Sequence, residues 1–208
     1  MNETWVQLAA LAVFAYLLGS IPNGLIIGKL FYHKDIRQFG SGNIGTTNTF
    51  RVLGKKAGIM VFTLDVLKGA IPTAIAGALH TPINPLFIGI FAALGHAFSI
   101  YLHFTGGKIV ATSAGILLGY HPILFFVGAA IFLITLYLTS MVSVGSLTVL
   151  TVMTITALGL QDWTLGVIGI FITGLSFYLH RSNIKRILNH NENMVKFGLG
   201  YQRRLRKQ

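Results

Sequence analysis

The sequence predicts an all-α, polytopic integral membrane protein of about seven transmembrane helices, its polar loops gathered on the cytoplasmic side. Three observations carry that expectation: an apolar composition, a series of long apolar runs, and a one-sided placement of Lys and Arg. Of 208 residues, 53% are hydrophobic and 10% charged, with a mean hydropathy of +0.71. An ordinary soluble domain carries about 25% charged residues. This chain lacks the polar surface to face water on all sides, so lipid is the expected solvent.

Apolar runs cover residues 5–30, 57–79, 83–102, 108–119, 121–139, 142–160 and 164–179. Inside hydrocarbon every backbone N–H and C=O must be paired, which leaves only helices or closed barrels. The runs exceed the roughly 10 residues of a barrel strand and lack its alternation, so helices follow. The run at 108–119 is the short one: about twelve residues at 1.5 Å reach only about 18 Å. His121-Pro122 separates it from the next run, because Pro disfavours helix at the residue before it.

The cations test the count. Lys29, Lys34, Arg37, Arg51, Lys55 and Lys56 lie between the first two runs, and Lys108 follows the third. Arg181, Lys185, Arg186, Lys196, Arg203, Arg204, Arg206 and Lys207 follow the last. An odd number of spans puts all three groups on one side, cytoplasmic by the positive-inside rule, with the N-terminus outside. Six spans would separate the basic tail from the basic first loop. One membrane-embedded domain, 1–208, is expected, with 195–208 a solvated basic cytoplasmic tail.

The net charge of +11 is explained by juxtamembrane residues facing anionic lipid, so no nucleic-acid partner is inferred. The absence of cysteine excludes disulfides and thiolate chemistry. No metal site and no cofactor is indicated, and the sequence assigns no oligomeric state. The first run has no basic leader and is too long for a signal peptide.

The polar residues concentrate in loops. Residues 34–51 read KDIRQFGSGNIGTTNTFR. Gly40, Gly42 and Gly45 permit positive φ, so that successive N–H groups can converge on an anion. Ser41, Thr46 and Thr47 add hydroxyls, and Arg51 a forked cation suited to phosphate. A flexible polar linker is the equal alternative on composition. In a later loop, Gly106-Gly107-Lys108 opens a helix, offering N–H groups, a dipole end and an ammonium; a basic membrane anchor is its competitor, and a nucleotide P-loop is not matched. His180 and Asn183 share one helical face three residues apart. Asp65 and Lys68 stand inside an apolar run, where an ion pair is expected. Ser140, Ser143 and Ser146 read as polar lining or as small packing residues. A carboxylate placed for catalysis is not evident.

On these residues the sequence resembles the bacterial acyl-phosphate-dependent glycerol-3-phosphate acyltransferases, the PlsY family. The resemblance rests on Gly19-Ser20-Ile21-Pro22, Asp35 through Arg51, Gly95-His96 through Phe104, Gly106-Gly107-Lys108, Val110-Ala111-Thr112, Leu64-Asp65 with Lys68-Gly69, and His180-Arg181, Asn183-Ile184 and Arg186, with Glu192 trailing. It implies seven spans and transfer of an acyl group from acyl phosphate to the first hydroxyl of glycerol 3-phosphate, giving lysophosphatidate and phosphate. Partners are then glycerol 3-phosphate, acyl phosphate and membrane lipid, in the inner (plasma) membrane. By motif position, Ser41, Arg51, Lys108, His180 and Asn183 are the implied catalytic residues. Gly40, Gly42, Asn43, Gly45, Thr47, Asn48, Gly106, Gly107 and Ser146 are implied to bind or shape substrate. Three residues depart from the family pattern: Thr105 stands for Lys, and Ile109 and His190 each stand for Gly. The alternatives are a transporter for an anionic solute, a paralogue of low activity, or a non-catalytic scaffold. No His is followed five positions later by Asp, which excludes the His-x4-Asp acyltransferases.

Overall fold

The computed structural model describes residues 3–206, and the chain divides into two compact units, 1–122 and 123–208. The described residues contain helices and no strand element, in agreement with the all-α expectation.

The first unit opens with α1, Glu3–Ser20, and α2, Asn23–Tyr32. The 5–30 run is therefore two helices. Ile21 precedes Pro22, whose ring fixes φ and removes a donor, so the helix stops at Ser20 and restarts at Asn23. After a 3-10 turn at Ile36–Gln38 come α3, Thr46–Leu53, and α4, Lys55–Ala78. At 24 residues, α4 is about 36 Å long, more than a hydrocarbon core requires. The short helix α5, Leu86–Ala97, leads through a 3-10 turn at Ile100–Leu102 to α6, Val110–Tyr120.

Small residues decide how these helices pack. Gly69 and Gly115 let α4 and α6 approach backbone to backbone: a Cβ on Gly69 would overlap the Thr112 carbonyl, and one on Gly115 the Val66 carbonyl. Gly19 and Gly95 do the same for α1 and α5, against Ala92 and Tyr16. Lipid tails are as apolar as Leu, so close packing supplies the association that burial supplies in water.

The second unit takes up the chain one residue into α7, Pro122–Thr139, and holds α8, Val142–Gly159, α9, Trp163–Leu179, α10, Arg181–Leu188, and α11, Leu199–Leu205. Pro122 is the first residue of α7, where its missing N–H costs nothing. Asp162 caps α9, its carboxylate accepting from the Leu165 N–H at 3.0 Å. Within the unit α8 and α9 pack through Thr154, whose hydroxyl lies 2.9 Å from that of Thr173.

Among the described residues four helices, α1, α4, α7 and α8, are long and apolar enough to cross a membrane alone, and α9 with α10, bent by 63°, makes a fifth if counted as one span. Helices α5 and α6, of 12 and 11 residues, reach only about 18 Å and 16 Å. Helix α5 is thus shorter than the apolar run 83–102, starting after Pro85 and ending before Phe98, whereas α6 nearly fills the run 108–119.

The tail needs a correction. Its first part is held rather than solvated: the Val195 N–H donates to the Ser140 carbonyl (2.8 Å), and the Ser140 hydroxyl donates to Phe197 O (2.7 Å) while accepting from the Tyr201 N–H (2.9 Å). Ser140, at φ 59° between α7 and α8, donates its N–H to the Leu136 carbonyl of α7 and turns its carbonyl and hydroxyl to the tail. Arg203, Arg204 and Arg206 are exposed; Lys207 and Gln208 lie outside the described residues.

Replacing Gly115 with Val should force α4 and α6 apart at a contact made by backbone. The expected loss exceeds about 2 kcal/mol, read as a lower thermal midpoint of the detergent-purified protein beside an unchanged Gly159→Val control, whose site is open.

Candidate active site

The loop between α2 and α3 is built around Asn48. This side chain is buried and its amide nitrogen shares its two hydrogens among the carbonyls of Ile36 (2.9 Å), Phe39 (3.1 Å) and Asn43 (2.9 Å). Its Oδ1 accepts the Ser41 N–H at 2.9 Å. Gly40 and Gly42 have φ of 63° and 71°, as the glycine spacing predicts. The predicted nest, however, is turned inward. The N–H groups of Ser41, Gly42 and Gly45 go to Asn48 Oδ1, the Phe39 carbonyl and Asn43 Oδ1. Each of the three donors has a protein acceptor, the buried Asn48 amide taking only the Ser41 N–H. Asn48, Asn43 and the glycines therefore shape the loop. What remains for an anion is the exposed Ser41, the first turn of α3 at Thr46 and Thr47, where helical N–H groups have no partner within the helix, and exposed Arg51, whose stem passes against Gly40.

Asp35 anchors the same loop. Its carboxylate accepts from Arg37 Nη2 at 2.6 Å and caps the 3-10 turn through the Arg37 N–H. The Arg37 hydrogen bond holds its pKa at about 2, below the ordinary 3.8.

Gly106-Gly107-Lys108 immediately precedes α6, as expected, with Ile109 as the cap residue. Gly107 is buried and its N–H donates to the His96 carbonyl at 2.9 Å; Gly106 lies against the His96 and Ala97 carbonyls. The glycines are thus demanded by a close approach of backbones. Lys108 is half-buried.

In the second unit, His180 sits at the bend between α9 and α10, buried, its Nδ1 2.8 Å from the Ser176 carbonyl. A carbonyl only accepts, so Nδ1 carries a proton, and in the neutral ring the acceptor nitrogen is then Nε2. Asn183 Nδ2 donates to Glu192 Oε1 at 2.6 Å. Glu192, buried, also accepts from the Ser143 hydroxyl (2.9 Å) and from Arg186 Nε (2.8 Å). The carboxylate fixes which way the Asn183 amide faces. No sequence spacing joins Glu192 and Ser143 to Asn183; Glu192 stands out only as one of five acidic residues in the chain. Ser146, in contrast, bonds the Val142 carbonyl of its own helix at 2.8 Å, while Ser143 one turn earlier reaches the polar cluster. An open apolar groove of about 310 Å³ within this unit is lined by Leu147, Thr151, Val152, Phe177 and Ile187.

The departures from Gly fall where the backbone needs it: Ile109 has φ 59° and His190 φ 57°. Among the described residues no group of three His, Asp or Glu side chains could hold a metal.

Comparison with known proteins agrees with this architecture. A family profile described as "Glycerol-3-phosphate acyltransferase" matches residues 9–190. Proteins named glycerol-3-phosphate acyltransferase from Limosilactobacillus reuteri and Levilactobacillus brevis are 54% and 50% identical, each over 97% of this chain and 98% and 100% of theirs. Crystal structures of PlsY, an integral membrane glycerol 3-phosphate acyltransferase, superpose with TM-scores of 0.87 (glycerol 3-phosphate form) and 0.84 (lysophosphatidic acid form). They are 36% and 35% identical, over 91% and 90% of this chain and 96% and 95% of theirs. Helices and comparisons together define a membrane-embedded acyltransferase. The chain belongs to the glycerol-3-phosphate acyltransferase family.

Because the folded pKa of Asp35 is lowered, its stabilisation is present above 3.8 and is lost as pH falls through about 2. Hydrogen exchange over 35–48 should therefore report no opening of the Asp35–Arg37 contact between pH 5 and 8, whereas Asp35→Asn should open the 3-10 turn throughout. At the left-handed positions two effects compete. His190 is exposed, so His190→Gly releases about 1–2 kcal/mol of backbone cost against about 0.5–1 for glycine entropy, and the thermal midpoint should rise slightly. Ile109 is fully buried, so Ile109→Gly also removes packing of at least about 2 kcal/mol, and the midpoint should fall.

Proposed function

We propose that the enzyme transfers an acyl group from acyl phosphate to the first hydroxyl of glycerol 3-phosphate, releasing lysophosphatidate and inorganic phosphate. Two separate loops, each pairing glycine-shaped backbone with a cation, carry this reading: both substrates bear phosphate. The solved relative's glycerol 3-phosphate and lysophosphatidic acid forms support the acceptor and the product.

In residues 1–122, Arg51 and Lys108 neutralise phosphate and the negative charge that builds on the carbonyl oxygen in the transition state. Ser41 and Thr47 add hydroxyl donors. In residues 123–206, Asn183 orients the glycerol, with its amide set by Glu192, and His180 presents an acceptor nitrogen. The hydroxyl oxygen bonds to the acyl carbon as the carbon–phosphate oxygen bond breaks. The hydroxyl proton passes to the leaving phosphate or to His180. Acyl phosphate is already an activated anhydride, so positioning and charge neutralisation supply most of the acceleration. The fatty chain lies among apolar side chains such as those of the α8–α9 groove.

The protein is read as one acyltransferase domain in the inner (plasma) membrane, with seven spans, the N-terminus outside and the C-terminus cytoplasmic. The positions of Lys and Arg support that orientation.

Purified in detergent and given acyl phosphate with radiolabelled glycerol 3-phosphate, the protein should yield labelled lysophosphatidate without coenzyme A. Lys108→Ala and Arg51→Ala should each lower kcat/KM by about 100-fold or more. Equal turnover with acyl-CoA would overturn the donor, and wild-type rates in both variants would overturn the site.

A further inference from the structure

Helix α7 has 18 residues, so it is about 27 Å long, close to the hydrocarbon thickness of a bilayer. Its last turn therefore stands at a headgroup layer, and the C-terminal segment is fastened to that turn. The Val195 N–H donates to the Ser140 carbonyl at 2.8 Å, and the Ser140 hydroxyl bridges the Phe197 carbonyl (2.7 Å) and the Tyr201 N–H (2.9 Å). A Cβ on Gly198 would overlap the Tyr137 carbonyl and one on Gly200 the Thr139 carbonyl, so here backbone lies directly on backbone. Helix α11 is thus held at the edge of the membrane and not carried off into water.

The composition of the segment suits that depth. Lys196, Arg203, Arg204 and Arg206 are exposed, and exposed Phe197 and Leu205 stand among them. After Asp162 the chain holds one acidic residue, Glu192, which is buried and engaged by Asn183, Ser143 and Arg186. Among the described residues no carboxylate pairs with Lys196, Arg203, Arg204 or Arg206. A solvated tail needs neither an anchor at Ser140 nor Phe and Leu beside its cations. Cations with apolar neighbours fit the boundary between headgroups and acyl chains, where anionic lipid attracts them within a Debye length.

We propose that residues 195–206 form a surface-lying segment that binds anionic phospholipids of the leaflet beside the end of α7. The anchor keeps α11 against a spanning helix, so the lipid headgroup is the anion within its reach, ahead of a protein or nucleic acid in solution. The inference needs only a membrane-embedded chain and holds whichever acyl donor the enzyme uses.

The full chain in nanodiscs tests it without turnover. The Val195 and Tyr201 amides, which donate to Ser140, report docking by hydrogen exchange. Replacing about a third of neutral phosphatidylcholine with phosphatidylglycerol should slow their exchange about tenfold, and about 0.5 M salt should reverse most of that. Exchange within α8 should be the same in both lipids. The triple variant Arg203→Gln, Arg204→Gln, Arg206→Gln should lose the lipid effect at an unchanged thermal midpoint in neutral lipid. The triple variant Arg203→Lys, Arg204→Lys, Arg206→Lys should keep it, because the charge and not the guanidinium fork is required. Equal exchange in the two lipids, or a lipid effect that survives in the glutamine variant, would overturn the proposal. So would equal slowing by inorganic phosphate or RNA added to neutral nanodiscs, which would make the segment a site for soluble anions.

Discussion

Where α1 breaks at Ile21-Pro22, backbone carbonyls are released within an apolar protein, and the way they are satisfied organises the first unit. The Ser99 hydroxyl donates to the Ser20 carbonyl at 2.6 Å and the Lys68 ammonium to the Ile21 carbonyl at 3.1 Å. A cation at a helix C-terminus also meets the negative end of the dipole. Asp65 then balances Lys68 and accepts from Asn23, the first residue of α2. Unsatisfied groups at this depth would each cost several kcal/mol. One proline thus accounts for a lysine, an aspartate, an asparagine and a serine drawn from α4, α2 and the segment after α5.

Both polar loops of the first unit follow the same economy. Asn48 collects the backbone groups of residues 36–43, and the His96 carbonyl takes the Gly107 N–H. Each loop's shape is set by protein–protein hydrogen bonds, which leaves the hydroxyls and cations at its surface to deal with ligand. Glycine in these loops serves fit more than anion binding: it permits left-handed turns at Gly40 and Gly42 and backbone contact at Gly106 and Gly107. The second unit repeats the pattern with a carboxylate at the centre, Glu192 ordering Asn183, Ser143 and Arg186. A preorganised polar group costs no rearrangement when charge develops on a substrate.

Composition and apolar run length determined that this is a helical membrane protein, because unpaired backbone in lipid leaves so few choices. The glycine, cation and His/Asn motifs marked the polar loops, and the i,i+3 spacing marked the Asp65–Lys68 pair, since both follow from local geometry. Tertiary structure alone decided the rest. Glu192 is six residues from Arg186 and 49 from Ser143, a spacing with no helical period to betray it. The inward turn of the Ser41–Gly45 amides depends on where Asn48 is buried, and the need for glycine at 107 on how closely the chain passes the His96 ring. Hydrogen-bond partners remote in sequence are chosen by packing, which no local pattern encodes.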